Sequence, residues 1–204
     1  MLNAVHWDGT AYFPSKIVCV GRNYVGHIQE LGNAVPDEPV IFIKPNSALS
    51  DMIQAGEDGD IHYEAEICFI VRSGQLCGVG FGLDLTRRAV QDQLKARGLP
   101  WERAKAFDGA AVFSPFVTFN GDVNQLRLQL FINEQLVQQG GCELMLFKPG
   151  LLLTEIQRVV SLEDGDVIMS GTPQGAGPFH AGDRFVGKIF ARDQLLVEVS
   201  WLAR

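Results

Sequence analysis

The sequence predicts an α+β protein, mainly β, with a few short helices. Three observations carry that expectation. Seven short runs rich in Val, Ile, Leu or Phe are bounded by turn residues. Two Gly-Asp turns, Gly165-Asp166 and Gly182-Asp183, each lead into such a run. Only three segments show helical signals. The expected strands are Ile17–Val20, Val40–Lys44, Ile61–Arg72, Gln125–Ile132, Asp166–Ser170, Arg184–Phe190 and Gln194–Trp201. The clearest helix is expected over Thr86–Arg97, with Thr86 as N-cap and Gly98 just past its end. A second is expected over Lys148–Val160, with Pro149 in its first turn and Leu152, Ile156 and Val159 on one apolar face. A short third runs from Asn23, as N-cap, to Leu31, stopped by Gly32.

At 204 residues the chain suits one domain, 1–204, with a sizeable core. Apolar residues make up 47% and charged residues 20%, an ordinary globular balance. A net charge of −7 argues against a nucleic-acid partner, which needs a basic patch. The first residues, with His6, Trp7 and Asp8, have neither a basic start nor an apolar run. Apolar stretches fall far short of a membrane span, so a cytoplasmic protein without a membrane partner is expected. Four cysteines without Cys-x-x-Cys spacing are read as free thiols, and Cys19 as a core residue rather than a nucleophile.

The most informative segment is Ile61–Val71. Alternation along a strand places Glu64 and Glu66 on one face. Two such carboxylates repel unless one is protonated or a cation sits between them. Asp84, at a strand-to-helix junction, offers a third. Three oxygen ligands select Mg²⁺, Mn²⁺ or Ca²⁺ over softer metals. A solvated acidic edge strand, with Asp84 as a helix cap, is the plainer alternative. His27 and Glu30 are three apart on the short helix and share a face. A carboxylate that orients imidazole can activate water, and a helix this short, containing Gly26, suits a lid. The alternative is an exposed pair that only steadies the helix. Lys44 and Lys105 are read either as anchors for a substrate carboxylate or oxyanion, or as surface charges. The Gly171–Gly177 loop lacks the ending of a phosphate cradle. Its Thr172 hydroxyl and free N–H groups suit a small carboxylate better.

Taken in order, these pieces resemble the fumarylacetoacetate hydrolase family, in its small single-domain acylpyruvase and oxaloacetate-decarboxylase branch. The resemblance spans about Lys16 to Ile189. It rests on Cys19-Val-Gly-Arg-Asn-Tyr24 with His27 and Glu30, Phe42-Ile-Lys-Pro45, His62-Tyr-Glu-Ala-Glu66, and Leu83-Asp-Leu-Thr86 with Arg88 and Gln91. Gly98-Leu-Pro-Trp101, Ala104-Lys-Ala-Phe107, Gly165-Asp166 and Ser170-Gly-Thr-Pro173 complete it. The family implies a mixed β-sandwich roll and a homodimer. It implies Mg²⁺ (or Mn²⁺, with Ca²⁺ able to stand in) on Glu64, Glu66 and Asp84. Its water-activating pair falls on His27 and Glu30, and its active-site lysine on Lys105. Its substrate contacts fall on Arg88, Gln91 and Thr172, and Arg22, Tyr24 and Lys44 are expected to bind substrate beside them. The implied reaction is hydrolytic cleavage of a carbon–carbon bond in an acylpyruvate, leaving a carboxylic acid and a pyruvate enolate. Decarboxylation of oxaloacetate and keto–enol or double-bond isomerisation of an unsaturated 2-oxo diacid are the rivals. A non-catalytic metabolite-binding protein is the reading from another class. The chain departs from the pattern in a short connection from Glu66 to Asp84 and in Asp108-Gly-Ala-Ala-Val112, which leaves substrate choice open.

Overall fold

The computed structural model describes residues 2–56 and 60–204. The chain runs β1 (Val5–Trp7), β2 (Thr10–Tyr12), β3 (Lys16–Gly21), α1 (Val25–Glu30), β4 (Val40–Pro45), β5 (Leu49–Ser50), β6 (Ile61–Tyr63), β7 (Ala65–Arg72), β8 (Gln75–Asp84) and β9 (Thr86–Arg87). It continues with α2 (Arg88–Ala96), α3 (Glu102–Lys105), β10 (Ala111–Phe113), β11 (Val117–Thr118), β12 (Leu126–Ile132), β13 (Gln135–Gly141), α4 (Pro149–Val159), β14 (Val167–Met169), β15 (Gly177–Pro178), β16 (Arg184–Ala191) and β17 (Gln194–Leu202). It is the expected mainly β fold. No helix among the described residues is long and apolar enough to cross a membrane.

The larger sheet has the order β4-β3-β14-β7-β8-β10-β5, with β11 also on β8. The second sheet, β13-β12-β16-β17, is antiparallel throughout. Strand β7 explains how they stack. Its residues are buried on both faces apart from Arg72, which is why it reads as an unbroken apolar run rather than an alternating one. Ile67, Phe69 and Val71 pack in one core with Leu126, Leu128, Leu130, Phe185 and Ile189 of the second sheet. Cys68 and Ile70 pack in another with Ile17, Cys19, Trp7 and Phe116. Glu66 shares the parity of Cys68 and Ile70, so it lies on the second of these faces.

Several local expectations need correction. The expected strand over Ile61–Arg72 is interrupted at Glu64, where β6 leaves to pair with β9 and β15. Asn23 does not cap α1; the capping position is Tyr24. The Asn23 amide instead ties the approach to α4 to the end of β14, donating to the carbonyls of Phe147 (3.1 Å) and Ser170 (2.8 Å) and accepting from Phe147 N–H (2.8 Å). Helix α2 starts at Arg88, because Thr86 is held in strand pairing with His62. Its other end is as expected. Gly98 takes φ +63°, Gly98 N–H reaches Lys95 O at 3.1 Å and Leu99 N–H reaches Leu94 O at 2.9 Å, a Schellman closure. In α4, Leu152 and Ile156 are buried, but Val159 is 66% exposed. Unforeseen were α3, the short strands β1, β2, β5, β9, β10, β11 and β15, strand β13 and above all the ten-residue strand β8.

Candidate metal centre and active site

The hairpin of β7 and β8 builds the acidic cluster. Asp84 N–H donates to Glu64 O at 2.8 Å, so these residues face each other across the hairpin. Glu66 lies two residues further along on the same face. Carboxylate oxygens from all three lie within 4.8 Å of one another. Their exposures are 5%, 2% and 1% for Glu64, Glu66 and Asp84, which rules out the solvated acidic edge. The hairpin is also what shortens the connection from Glu66 to Asp84.

Basic side chains converge on two of the three acids. Lys105 Nζ lies 2.7 Å from Glu64 Oε2, 2.6 Å from Asp84 Oδ2 and 2.6 Å from the Thr86 hydroxyl. The Arg88 guanidinium pairs with the other oxygen of Glu64 and donates to Gln91 Oε1 at 2.6 Å. Lys44 Nζ is 2.8 Å from Asp84 Oδ1, a charge contact outside hydrogen-bonding geometry, and it also donates to the Lys105 carbonyl. Glu66 has no ion pair among the described residues. Its partner is the N–H of Gly171, at 2.6 Å. Gly171 sits at φ +101°, a backbone state that favours glycine.

These contacts set the protonation balance. Burial works against the Glu64 carboxylate, but the charges of Lys105 and Arg88 outweigh it and hold its pKa well below the usual range. Burial likewise works against charged Lys105, and Asp84 and Glu64 more than reverse it, raising its pKa. Glu66 goes the other way. Burial, and then the neighbouring Asp84 charge, push its pKa well up despite the Gly171 hydrogen bond. A buried carboxylate raised by its acidic neighbours and lacking a cation is what a divalent ion would relieve. The all-oxygen donor set fits a hard divalent cation.

The acids line a cavity of about 40 Å³. His27, Arg22, Arg88, Gln91, Lys105 and Thr172 line it too. Arg22 takes φ +56° at the turn from β3 into α1, backbone strain of the kind found at functional sites. His27 Nδ1 lies 3.1 Å from Glu30 Oε2. Glu30 in turn accepts from Gly175 N–H at 3.1 and 3.2 Å, tying α1 to the glycine-rich loop. The carboxylate assigns the proton to Nδ1 and leaves Nε2 free as a base. Thr172 accepts from the Gln138 amide at 2.8 Å; that amide also bonds Pro173 O, and Gln138 Oε1 accepts from Ala65 N–H.

Two expected substrate contacts are corrected. Lys44 is fully buried, does not line the cavity and is engaged with Asp84. Tyr24 is also buried and off the cavity wall, because its strand-like backbone turns the ring toward Gly140 in the second sheet. Lys95, Phe42 and Trp101 line the cavity and were not foreseen as site residues. Lys95 was findable, since positions 88, 91 and 95 share one face of α2. Gln138 gave no signal, because strand β13 was itself missed.

Comparison with known proteins agrees with this fold. Oxaloacetate tautomerase YcgM of Escherichia coli (strain K12) is 39% identical over 198 residues, covering 87% of this chain and 90% of that one. A crystal structure described as a fumarylacetoacetate isomerase/hydrolase from Oleispira antarctica superposes with a TM-score of 0.94 at 38% identity, covering 100% of both chains. Fumarylpyruvate hydrolase from Pseudomonas aeruginosa, solved with Mn²⁺ and pyruvate, superposes with a TM-score of 0.89 at 26% identity, covering 99% of this chain and 95% of that one. The model of the fumarylacetoacetate (FAA) hydrolase C-terminal family matches residues 16–200, and the chain belongs to that family.

Proposed function

We propose that this chain is a divalent-metal-dependent enzyme that interconverts the keto and enol forms of oxaloacetate or a similar small 2-oxo diacid. The observation that carries this reading is a shared cavity. The His27–Glu30 pair opens onto the same small space as three buried carboxylates and the basic side chains of Arg22, Arg88, Lys95 and Lys105. Arg88 and Lys105 are engaged with Glu64 and Asp84, which leaves Arg22 and Lys95 to face a substrate, and two such cations suit a dianion better than a neutral acyl group. The tautomerase similarity supports the same choice.

Mg²⁺ or Mn²⁺ held by Glu64, Glu66 and Asp84 would supply Lewis acidity at the 2-oxo group. Arg22 and Lys95 orient the substrate carboxylates. His27, fixed in one tautomer by Glu30, takes the proton from C3 of the keto form and, as imidazolium, hands a proton to the 2-oxygen to complete the enol; the reverse direction runs the same two transfers backwards. Lys105 places positive charge beside the oxygen on which negative charge develops. Gln138, through Thr172, holds the wall opposite α1. We take the active unit to be a homodimer, as the family resemblance implies; light scattering should give twice the 22.4 kDa of the chain.

The test follows the decay of enol-oxaloacetate absorbance with Mn²⁺ present. His27→Ala should slow turnover by about 10²–10⁴-fold while leaving Mn²⁺ affinity unchanged. Glu66→Gln should lose both. Wild-type turnover that survives a chelator defeats the proposal. A second reading, hydrolysis of an acylpyruvate, is favoured by the Glu30-oriented imidazole, which can equally activate water, and by similarity to the Pseudomonas hydrolase. Product analysis by NMR with oxaloacetate, acetylpyruvate and fumarylpyruvate separates tautomerisation, decarboxylation and hydrolysis.

A further inference from the structure

The site cavity has a neighbour. A groove of about 290 Å³, against about 40 Å³ for the cavity itself, shares three of its side chains, Phe42, Trp101 and Lys105. It follows strand β4, one of the two edge strands of the larger sheet, and is lined by Ile41 and Ile43 from that strand and by Leu99 and Pro100 from the connection after α2. Phe42 and Trp101 meet edge to face, ring centroids 5.8 Å apart, where the two spaces adjoin. The Lys105 ammonium lies 5.2 Å from the centre of the Phe42 ring while bonded to Glu64 and Asp84.

Chemistry selects what the groove would take. Ile43 and Leu99 are 38% and 39% exposed, large apolar side chains left in water. The carboxylate of Glu102 also lines the groove, so a second anionic group is disfavoured there. An uncharged hydrocarbon chain that begins in the site and leaves past two aromatic rings meets both conditions. We propose that this groove is a tail subsite: it receives the non-reacting aliphatic or aryl end of longer 2-oxo acids, and Phe42 and Trp101 form the partition through which the chain passes. The proposal rests on the reading of the acidic centre as a 2-oxo acid site. It makes this partition, rather than the carboxylates, the determinant of whether the protein prefers compact diacids or tailed 2-oxo acids.

Calorimetry on the Mn²⁺-loaded protein tests it without turnover, comparing 2-oxobutanoate with 2-oxooctanoate. Each methylene withdrawn from water is worth about fourfold in affinity, so partial burial of the longer tail should give at least a ~10-fold preference. Leu99→Glu, and independently Ile43→Asn should the first variant fold poorly, should reduce that preference to about twofold without changing 2-oxobutanoate affinity. Equal affinity of the two acids, as when a second copy of the chain covers the groove, overturns the tail subsite and leaves the 2-oxo acid centre standing. A preference that persists in both variants also overturns it. Binding of neither acid overturns both readings together.

Discussion

Lys44 shows how a buried charge is used when it is held against a carboxylate and away from solvent. Of the three carboxylates, Glu64 and Asp84 hold the buried cations Lys44, Arg88 and Lys105, while Glu66 holds none among the described residues. Burial penalises an unmatched charge far more than a matched one. Lys44→Met should therefore destabilise the metal-free protein by about 3 kcal/mol, because Asp84 loses one of its counter-charges in a dry site. Added Mn²⁺ should then raise the melting temperature of the variant more than that of the wild type, since the ion replaces the missing charge. Equal Mn²⁺-induced shifts in the two proteins would remove Lys44 from this role. That Glu64 and Glu66 share a face, and that His27 and Glu30 do, was legible from residue spacing, because strand and helix periods are local. Asp84 joins them from its place at a strand-to-helix junction, and the family resemblance, not spacing, sets these groups apart from a solvated edge and a surface pair. Lys44 and Tyr24 misled because proximity to a motif does not say how deep a side chain reaches. The Lys44 ammonium ends on Asp84, one layer behind the cavity.

Strand β8 is where element-scale reading failed. Gly78, Gly80 and Gly82 weaken any strand signal, since glycine has neither a side chain to pack nor β propensity. The structure supplies the reason for them. A Cβ at Gly78 would lie 2.8 Å from Ile70, at Gly80 2.9 Å from Phe116, and at Gly82 2.5 Å from Cys68 Sγ and 2.8 Å from Phe113. All three sit on the face where Phe113 and Phe116 close over the hairpin, so backbone must stand where side chains normally would. Gly82 also pairs with Glu66. Gly82→Ala should cost about 1–3 kcal/mol through overpacking. It should also weaken Mn²⁺ binding, because the strand that must give way carries a ligand. Adding Cys68→Ala should recover part of the lost stability, as the thiol is the nearest obstacle. A melting temperature and Mn²⁺ affinity unchanged by Gly82→Ala would show that β8 tolerates the extra atom. The largely apolar β7, by contrast, was readable, although the break at Glu64 just before it was not, because that break is set by the pairing of β6 with β9 and β15.

At the scale of the molecule, the sequence yields the class and eight of the seventeen described strands, β8 and β13 being the longer ones it misses, while their order comes from contacts between distant residues. Strand β14 lies between β3 and β7, parallel to the first and antiparallel to the second, and nothing in residues 167–169 announces either partner. The lock on that arrangement is Asp166. Its buried carboxylate accepts from Ser15 N–H and hydroxyl, both 2.8 Å, from Lys16 N–H at 3.1 Å and Nζ at 2.6 Å, and from Glu163 N–H at 2.9 Å. It thereby joins the starts of β3 and β14, residues some 150 positions apart in the chain. Burial alone would raise its pKa; the Lys16 hydrogen bond and the backbone donors outweigh this and lower it. A carboxylate lowered on folding adds stability above its unfolded pKa, about 3.9 for aspartate, and that stability is lost as pH falls through the folded value. Glu64, also lowered, contributes in the same direction. Asp166→Asn should cost about 3 kcal/mol at neutral pH, since it breaks the Lys16 pair and leaves donors unmet. In urea titrations at stepped pH, the gap between wild type and variant should hold near neutrality and narrow below about pH 4, as the wild-type carboxyl takes up its proton. A gap that instead stayed constant into strong acid would mean that the charge of Asp166 does not hold β14 in place.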